Sequence, residues 1–420
     1  MSIDARQPGR ARPRVLMLTH RVPYPPDRGD RIRAYHLLEA LATRFDVTLA
    51  AIADEPVTPA TMVLLESLCQ QVLLAPIKPL QRRAGAAKAL LTGQAITPAA
   101  MYDRALDRRL VRLHQHQPFD TVLTYCTGMI GYAGSLLGQP HPPRHVLDLV
   151  DVDSQKWARF AAESTGPMRL VYQAESRRLR TVEAGRSVPF DTVTVISNAE
   201  AERYAQHVTG EHSPIVIGNG VDLERFKPAE PTHQPMMEPA LIFTGVMSYK
   251  PNIDAAVWFA RQAMPRILAA VPGARFDIVG KSPSAQVAVL DELPGVRVVG
   301  PVDDTADSLR GSAVAVAPML IAPGVQNKVL EAMACGLPVV CSSAAASGID
   351  ATAGEHLIVA DKASEVAADC VRLLLNPDER AGLGKAARYR VQDRYDWAVA
   401  TQPMLDLLDQ ETPTPIGPRP

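Results

Sequence analysis

The chain has 420 residues, of which 47% are hydrophobic and 21% charged, a length that exceeds one ordinary core and predicts a globular protein of two domains. No run of about 18 apolar residues occurs, so we expect no transmembrane helix, and the short N-terminal apolar stretch is not typical of a signal peptide. The five cysteines are scattered without CxxC spacing, which predicts a reducing, cytoplasmic location and argues against a zinc site.

The two halves of the chain carry opposite charge. Residues 1–210 contain 26 Lys and Arg against 20 Asp and Glu, a net charge of +6. Residues 211–420 contain 18 against 25, a net charge of −7. This asymmetry predicts two domains with different partners, and the basic one could meet an anionic lipid surface or a phosphate-bearing substrate.

Short apolar runs alternate with helix-period segments along the first half. The runs that predict strands are 14–20, 46–53, 71–77, 120–126, 145–151 and 192–197. Strands that are apolar on both faces and alternate with helices are typical of a parallel sheet covered on both sides. The first half therefore predicts a doubly wound α/β domain over 14–198.

A second series of the same kind follows a junction near 198–222. Its predicted strands are 214–222, 240–249, 275–281, 296–304, 314–320, 338–343 and 356–361. The fold class is thus α/β, with a second Rossmann-like domain over 214–387, and ligands are expected at the carboxyl ends of the strands, in a cleft between the domains. The proline-rich segment 228–239 predicts a surface loop, and 409–420 a disordered tail.

The first motif, PYPPDRGDRIRAYHLLEALA (23–42), follows the first strand. Gly29 would permit a tight turn, and Asp30 is a plausible N-cap of the next helix. A helix N-terminus at this place can receive an anion, and Arg28, Arg31 and Arg33 add positive charge. The alternative is an ordinary β–α connection with a solvated arginine face.

The second motif, HVLDLVDVDSQKW (145–157), places Asp148, Asp151 and Asp153 at the end of a buried strand. Carboxylates there could bind sugar hydroxyls or assist proton transfer, and a magnesium or manganese ion is possible in principle. The alternative, that Asp151 or Asp153 caps the next helix, carries equal weight.

The third motif, IFTGVMSYKPNIDAAVWFA (242–260), contains Gly245 at a strand end and Lys250 before a helix. Gly245 would let the backbone approach a ligand, and Lys250 could meet a phosphate. A solvated loop lysine is the alternative reading of Lys250.

The fourth motif, APGVQNKVLEAMACGLPVV (322–340), leads from a strand through a loop into a helix that we expect to begin near Gln326. Free N–H groups in the first helical turn favour a diphosphate. The residues expected to hold it are Gly324, Val325, Gln326, Asn327 and Lys328. Glu331 lies about one turn further on, where an acid cannot favour phosphate. Its expected partner is the diol of a ribose, and the alternative is that it complements the helix N-terminus.

Four segments in this order resemble family 4 glycosyltransferases of the GT-B fold: SNAEAERY, IGNGVDLERFKP, FTGVMSYKPN and NKVLEAMACGLPVV. The segment 388–408 looks like the closing helix that crosses back to the first domain, so the resemblance spans 14–408. The first two motifs further resemble the sugar transferases encoded with exosortase/PEP-CTERM exopolysaccharide systems.

The resemblance implies a retaining transfer of a hexosyl group from a UDP- or GDP-sugar, with no cofactor and no required metal. The second domain would bind the donor and the first domain the acceptor, which is a lipid-linked glycan or a polysaccharide. The protein would be cytoplasmic, with peripheral contact to the inner membrane as an open possibility, and would bind no nucleic acid.

Residue by residue, Glu331 matches the second glutamate of the family's E-x7-E pattern, whereas Pro323 stands in place of the first and Val246 in place of the usual arginine. The phosphate charge must therefore come from Lys250 or Lys328, of which we favour Lys328, and Asp151 or Asp153 would position the sugar or the acceptor. An epimerase acting on nucleotide sugars, or a non-catalytic carbohydrate-binding protein, remains the alternative. The missing first glutamate favours the latter.

Overall fold

A computed structural model describes residues 12–77, 79–208, 213–229, 239–322 and 324–410 of the chain. The chain divides into two compact units: the first extends to Gly218 and includes the chain again from Thr401, and the second is Asn219–Ala400. Among the described residues, no helix combines the length and the apolar character that crossing a bilayer requires. Position 323, most of the predicted loop at 228–239 and most of the predicted tail at 409–420 lie outside the described residues.

The first unit is built on a parallel sheet. Its strands are β1 (Arg14–Thr19), β2 (Asp46–Ala53), β3 (Gln71–Pro76), β4 (Thr121–Tyr125), β5 (Arg144–Val150), β6 (Thr192–Val195) and β7 (Ile215–Val216). Their order across the sheet is β3-β2-β1-β4-β5-β6-β7, and the described pairs are parallel. The central strands are buried on both faces because helices cover both sides of the sheet.

Helices connect these strands in the doubly wound manner. They are α1 (Gly29–Arg44), α2 (Pro59–Leu68), α3 (Pro79–Thr92), α4 (Ile96–Met101), α5 (Arg104–His116), α6 (Ile130–Leu137), α7 (Asp153–Glu163), α8 (Pro167–Glu183) and α9 (Asn198–His207). A 3-10 turn, Thr127–Met129, precedes α6. The apolar side chains of α1 pack with those of β1 and β2 in one of the cores of this unit.

A buried ion pair ties α1 to the middle of the sheet. Arg33 Nε lies 3.1 Å from Asp148 Oδ2, and both side chains are almost wholly inaccessible. Thr194 Oγ1 also donates to Asp148 at 2.9 Å, and Arg33 Nη1 donates to the Gly218 carbonyl at 2.8 Å. Arg33 therefore does not belong to a solvated arginine face or an anion site, and Asp148 does not face a ligand; both expectations are wrong because each group satisfies the other.

The second unit repeats the architecture with a smaller parallel sheet. Its strands are β8 (Ala240–Thr244), β9 (Arg275–Val279), β10 (Val296–Gly300), β11 (Val314–Ala317), β12 (Val339–Cys341) and β13 (Ile358–Val359), in the order β10-β9-β8-β11-β12-β13. Its helices are α10 (Lys250–Trp258), α11 (Met264–Ala270), α12 (Ala285–Ala288), α13 (Thr305–Arg310), α14 (Asn327–Ala334), α15 (Ser343–Ala346), α16 (Ala363–Leu375) and α17 (Pro377–Arg394). The expected fold class, α/β with doubly wound parallel sheets, is confirmed.

Several strands end earlier than their apolar patterns predict. The run 214–222 contributes only the two exposed residues of β7, and 356–361 only the two residues of β13. Both strands lie at the edge of a sheet, where only one neighbour provides hydrogen bonds. The run 240–249 stops at Thr244 because the chain then turns at Gly245, which has a positive φ of 158°.

The closing stretch is not one helix over 388–408. Helix α17 ends at Arg394, and a new helix, α18 (Trp397–Asp409), follows it. The break has a local cause, since the Tyr395 carbonyl accepts a 2.6 Å hydrogen bond from the Val221 N–H, and the Asp396 carboxylate caps the new helix at the Ala398 N–H.

Replacing Asp148 by Asn should destabilise the first unit, because the Arg33 guanidinium would stay buried without its counterion. Breaking such a pair costs about 3–5 kcal/mol. Hydrogen exchange measured by mass spectrometry on peptides from β5 and β6 should therefore accelerate. Glu365→Gln, which removes an acid from the exposed pair with Lys362, is the control and should leave the exchange of the same peptides unchanged. Equal protection of β5 and β6 in D148N and the parent would contradict the assignment.

Candidate functional site

The second sheet has a crevice at its carboxyl edge, between β8 and β11. From β8 the chain winds outward to β9 and β10, and then returns to β11 on the other side. The segments that leave β8 and β11 therefore diverge, as they do at the switch point of other doubly wound sheets. We call this place the β8–β11 crevice, bounded by residues 245–252 and by 318–331 without position 323.

Close backbone contacts shape the β8 side of the crevice. A Cβ on Gly280 would lie 1.6 Å from the Gly245 carbonyl oxygen, so no side chain fits there. A Cβ on Gly245 would lie 2.7 Å from Asn252 Nδ2 and 3.1 Å from Lys328 Nζ. Gly245 thus leaves room for the polar groups of the crevice itself, a reason that we did not anticipate from the sequence.

Lys328 lies inside the crevice. Its Nζ donates to Asn252 Oδ1 at 2.6 Å, lies 3.8 Å from Met319 Sδ and sits 4.3 Å from the centre of the Phe243 ring. No carboxylate of the described residues lies within 4 Å of this ammonium. Burial lowers the pKa of Lys328 to about 7, against the opposing charge of Glu331.

Glu331 follows Lys328 by three residues and so lies on the same side of α14. Its side chain is half-buried, and within the described residues its carboxylate has no hydrogen bond and no ion pair. Burial raises the pKa of Glu331, although the positive charges of Arg225 and Lys328 oppose the shift. Glu331 also lies beyond the first turn of α14, which contains no acidic residue, so the alternative that it complements the helix N-terminus does not describe its position.

The first turn of α14 offers further free polar groups. The helix begins at Asn327, one residue later than expected, and Gln326 makes no side-chain cap to it. Among the described residues, the N–H groups of Asn327 and Lys328 have no acceptor, and Asn327 Oδ1 is buried without a partner. Such N–H groups at a helix N-terminus are suited to an anion.

The loop that leads into α14 packs against Gly348, a glycine that we did not single out from the sequence. Gly324 has a φ of 67°, a backbone conformation that favours glycine. A Cβ on Gly348 would lie 2.7 Å from the Gly324 carbonyl oxygen and 3.2 Å from Val325 Cα. The loop therefore rests directly on the backbone that follows α15, which fixes the approach to the first turn of α14.

Lys250, the other lysine predicted for phosphate, is the first residue of α10. Its Nζ lies 2.8 Å from Asp254 Oδ2, and its side chain is 82% exposed. This matches the alternative of a solvated lysine. Lys328 is therefore the better candidate for a phosphate contact.

The predicted loop of the first unit is organised differently from the expectation. Gly29 has no positive φ, and nothing lies within 4 Å of a Cβ built on it, so no tight turn requires it. The N-cap position is Arg28 rather than Asp30. Asp30 lies in the first turn, and its carboxylate contacts Arg21 at 3.0 Å and His20 at 3.3 Å. The N-cap and turn predictions for this loop are wrong.

The arginines of this loop are also already paired. Arg28 and Arg31 both bind Glu55, at 2.9 Å and 2.8 Å, and Arg31 also contacts Asp27. Together with the Arg33–Asp148 pair, these contacts leave little of the positive charge that we assigned to an anion at this loop.

The remaining two aspartates of the second motif lie at the start of α7. The N-cap position is Val152, so neither Asp151 nor Asp153 caps the helix. Asp153 accepts a hydrogen bond from Thr127, and burial raises its pKa. Loss of hydration is the main cause that raises the pKa of Asp151 to about 6, and the nearby carboxylates of Glu200 and Asp153 act in the same direction. Part of the residue is nevertheless exposed to solvent. No group of three acidic, histidine or cysteine residues among those described could hold a metal ion.

Comparison with known protein families gives a match within the second unit. Residues 238–376 match the family model described as Glycosyl transferases group 1. The chain is 27% identical over 249 residues to a Corynebacterium glutamicum protein, the GDP-mannose-dependent monoacylated alpha-(1-6)-phosphatidylinositol monomannoside mannosyltransferase. That match covers 53% of this chain and 62% of the relative, so this chain spans less than two thirds of it.

Solved structures share the architecture along almost the whole chain. Sucrose-phosphate synthase from Thermosynechococcus elongatus has a TM-score of 0.66 and 19% identity, covering 94% of this chain and 98% of its own. Anabaena HepE in complex with UDP-glucose has a TM-score of 0.62 and 14% identity, covering 94% and 99%. These likenesses confirm the GT-B fold.

Proposed function

We propose that the chain is a retaining hexosyltransferase that moves a sugar from a nucleoside-diphosphate sugar to a lipid-linked or polysaccharide acceptor. The observation that carries this proposal is the pair Lys328 and Glu331, two half-buried groups of opposite charge on α14 that do not neutralise each other. An unneutralised cation and acid in a crevice are costly to the fold, so their retention favours a ligand that satisfies both.

The diphosphate of the donor would occupy the first turn of α14. There the N–H groups of Asn327 and Lys328 are free among the described residues, and the helix dipole adds positive potential. The Lys328 ammonium would supply the charge that the family's arginine gives elsewhere. Gly324, Val325 and Gln326 would contribute backbone to the wall of the site.

The ribose of the donor would bind Glu331. An ionised carboxylate only accepts hydrogen bonds, and the two neighbouring hydroxyls of a ribose can both donate to it. Glu331 lies one helical turn beyond the diphosphate seat, in keeping with the separation between these two parts of a nucleotide.

The reaction would break the bond between the sugar anomeric carbon and the diphosphate oxygen, and form a bond from that carbon to the acceptor hydroxyl oxygen on the same face. The electron pair leaves with the diphosphate, which Lys328 and the helix N–H groups stabilise. The acceptor proton passes to an oxygen of the departing diphosphate. No metal or cofactor is required by this scheme.

On the first unit, Asp151 is the better candidate for contact with the acceptor. The residue is exposed and its pKa is raised to about 6, whereas Asp153 already accepts from Thr127. The relative named for GDP-mannose and a phosphatidylinositol acceptor, and the fold neighbour bound to UDP-glucose, make these two sugar nucleotides the first donors to test. The assignment to exopolysaccharide synthesis of the PEP-CTERM type rests on the N-terminal motifs alone.

Peripheral membrane contact is supported by the surface of α3. Leu80 and Leu91 are exposed by 76% and 89%, and the same helix carries Arg82, Arg83 and Lys88. Exposed leucines beside basic side chains are typical of helices that lie at a bilayer surface. A lipid-linked acceptor would be reached from such a position.

Sugar transfer is tested by following UDP-glucose or GDP-mannose in the presence of the protein. We expect one of them to raise the melting temperature, because a ligand of the native state stabilises it. Slow hydrolysis of that donor should release nucleoside diphosphate and, by proton NMR, the α-anomer first, because the mechanism retains configuration.

Other outcomes of this experiment would contradict the proposal. Appearance of the β-anomer first would mean inversion, a new epimer would mean an epimerase, and stabilisation without any nucleotide release would mean a binding protein. No stabilisation by either UDP-glucose or GDP-mannose would contradict the assignment of these donors.

Glu331→Gln separates a ligand-binding acid from a structural one. We expect this variant to melt at a higher temperature without ligand, because burial disfavours the carboxylate in the folded state at neutral pH. Its affinity for the donor should fall roughly 10- to 100-fold, since hydrogen bonds to a charged group are worth about 1.5–3 kcal/mol. Calorimetric titration and thermal unfolding measure the two effects.

The matched control for this variant is Glu365→Gln on the exposed face of α16, which should change neither quantity. A Glu331→Gln protein that melts at a lower temperature and binds the donor as the parent does would show a structural acid.

Vesicle co-sedimentation tests the membrane contact. We expect more protein to sediment with vesicles that contain phosphatidylglycerol than with pure phosphatidylcholine, and added salt should weaken the binding by screening. Leu91→Glu should reduce it, whereas Val63→Glu on the exposed face of α2, a matched exposed site, should not. Binding that is indifferent to lipid charge, salt and L91E would contradict a role for α3.

A further inference from the structure

The first sheet also has a switch point, between β1 and β4, and it carries a group of reactive side chains. β1 and β4 are neighbours, while β2 and β5 lie on their outer sides. His20 follows β1 directly, and Cys126 follows β4 directly. Both residues therefore emerge at the carboxyl edge of the sheet, where α/β folds place their reactive groups.

His20 stands between a thiol and a carboxylate. Its Nδ1 lies 3.3 Å from Cys126 Sγ, and its Nε2 lies 3.3 Å from Asp30 Oδ2. Arg21 donates to the same Asp30 oxygen at 3.0 Å, which holds the carboxylate in place. The imidazole also stacks on Tyr125, with ring centres 5.9 Å apart and planes 5° from parallel. The ring is thus oriented by a third group, as in nucleophile–base–acid arrangements.

The backbone presents the thiol at a tight turn. Cys126 has a φ of 67°, a conformation that a residue with a side chain rarely adopts. Its N–H donates to the Asp148 carbonyl at 2.8 Å, which holds the turn. Strain of this kind concentrates at functional sites.

Cys126 differs from the other cysteines of the chain. It is partly exposed, whereas the other four are buried. Burial raises the pKa of Cys69, Cys335 and Cys341 to about 12, and that of Cys370 further. These four thiols are therefore expected to be inert in the folded protein, and they serve as internal references.

We propose that Cys126 is a reactive thiol, made so by the adjacent His20 side chain, and is a site of covalent modification by soft electrophiles, including hydroperoxides. With an alkyl iodide, a bond forms from sulfur to carbon, the carbon–iodine bond breaks and iodide leaves. With hydrogen peroxide, a sulfur–oxygen bond forms, the oxygen–oxygen bond breaks and hydroxide leaves, so that the thiolate is oxidised to a sulfenic acid. Neither step depends on sugar transfer.

The groups around His20 favour its protonated form. Burial alone would lower the pKa of His20, but the Cys126 sulfur and the Asp30 carboxylate together raise it to about 10. His20 and Arg21 in turn lower the pKa of Asp30 to about 2, against the effect of burial.

Further charged groups lie around this centre. Asp153, at the start of α7, interacts electrostatically with His20. Asp54 forms an ion pair with Arg21. The charges of the Arg33–Asp148 pair influence the pKa of Tyr125. At neutral pH His20 is thus expected to carry its proton, beside the Cys126 sulfur and the Asp30 carboxylate.

Alkylation of the folded, full-length protein by iodoacetamide, followed by digestion and mass spectrometry, tests the proposal. At about pH 6.5 we expect Cys126 to react roughly tenfold faster than glutathione, since a free thiol with a pKa of about 8.5 is almost fully protonated there. Cys69, Cys335, Cys341 and Cys370 should stay unmodified under the same conditions.

His20→Asn should slow the reaction of Cys126 about tenfold at pH 6.5, and the rates of variant and parent should converge above about pH 9.5, where any accessible thiol is ionised. A change of mere accessibility would alter the rate at both pH values. The control is His36→Asn, at a half-buried histidine of α1 that contacts Glu39, and it should leave the rate unchanged. A parent protein whose Cys126 reacts with the pH profile of a free thiol overturns the proposal whether or not the variants fold.

Discussion

The amide of Asn252 joins the two sides of the β8–β11 crevice, and the candidate donor site depends on it. Its Nδ2 donates to the Val246 carbonyl at 3.0 Å, and its Oδ1 accepts from Lys328 Nζ at 2.6 Å. The buried side chain of Asn252 thus fixes the turn after β8 and orients the side chain of Lys328 on α14. Because the amide is neutral, it orients the ammonium without cancelling its charge, which stays available to an anion.

The two units use the same architecture for different chemistry. In the second unit the charged groups at the switch point, Lys328 and Glu331, are not neutralised by the described residues around them. In the first unit the arginines near the switch point are bound by carboxylates, and the groups that remain distinctive are Cys126 and His20. A shared fold therefore does not imply a shared kind of site, because the chemistry at the carboxyl edge of each sheet depends on the side chains found there.

Much of the fold could be predicted from the sequence, because a buried parallel strand needs a short apolar run and little else. The strand at Asp46–Ala53 has the predicted bounds, and the helix that carries Glu331 begins within one residue of its expected start. Edge strands such as β7 were harder to delimit because their pairing, and not their apolar character, sets their length. The break at Tyr395 depends on a hydrogen bond to Val221, far away in the chain.

The candidate site could be predicted only where the chemistry is local. A lysine and an acid three residues apart on one helix are visible in the sequence. In the structure, no ion pair with a described residue neutralises either of them. The packing of the sheet decides which arginine pairs with which carboxylate. The pairs Arg33–Asp148 and Arg31–Glu55 therefore could not be predicted from the sequence. Asn252 and Gly348 carry no motif of their own, and only the contacts across the crevice reveal them.

The charge state of Lys328 is the central quantity of this account, and NMR of the protein labelled with carbon-13 at the lysine ε position measures it directly, with Lys328→Arg to assign the signal. Without ligand, Lys328 should titrate near pH 7, and a saturating sugar nucleotide that the protein binds should move its titration above about pH 9, because the diphosphate favours the ammonium. A lysine that titrates near its ordinary value without ligand, or whose titration does not respond to a bound sugar nucleotide, would contradict the account.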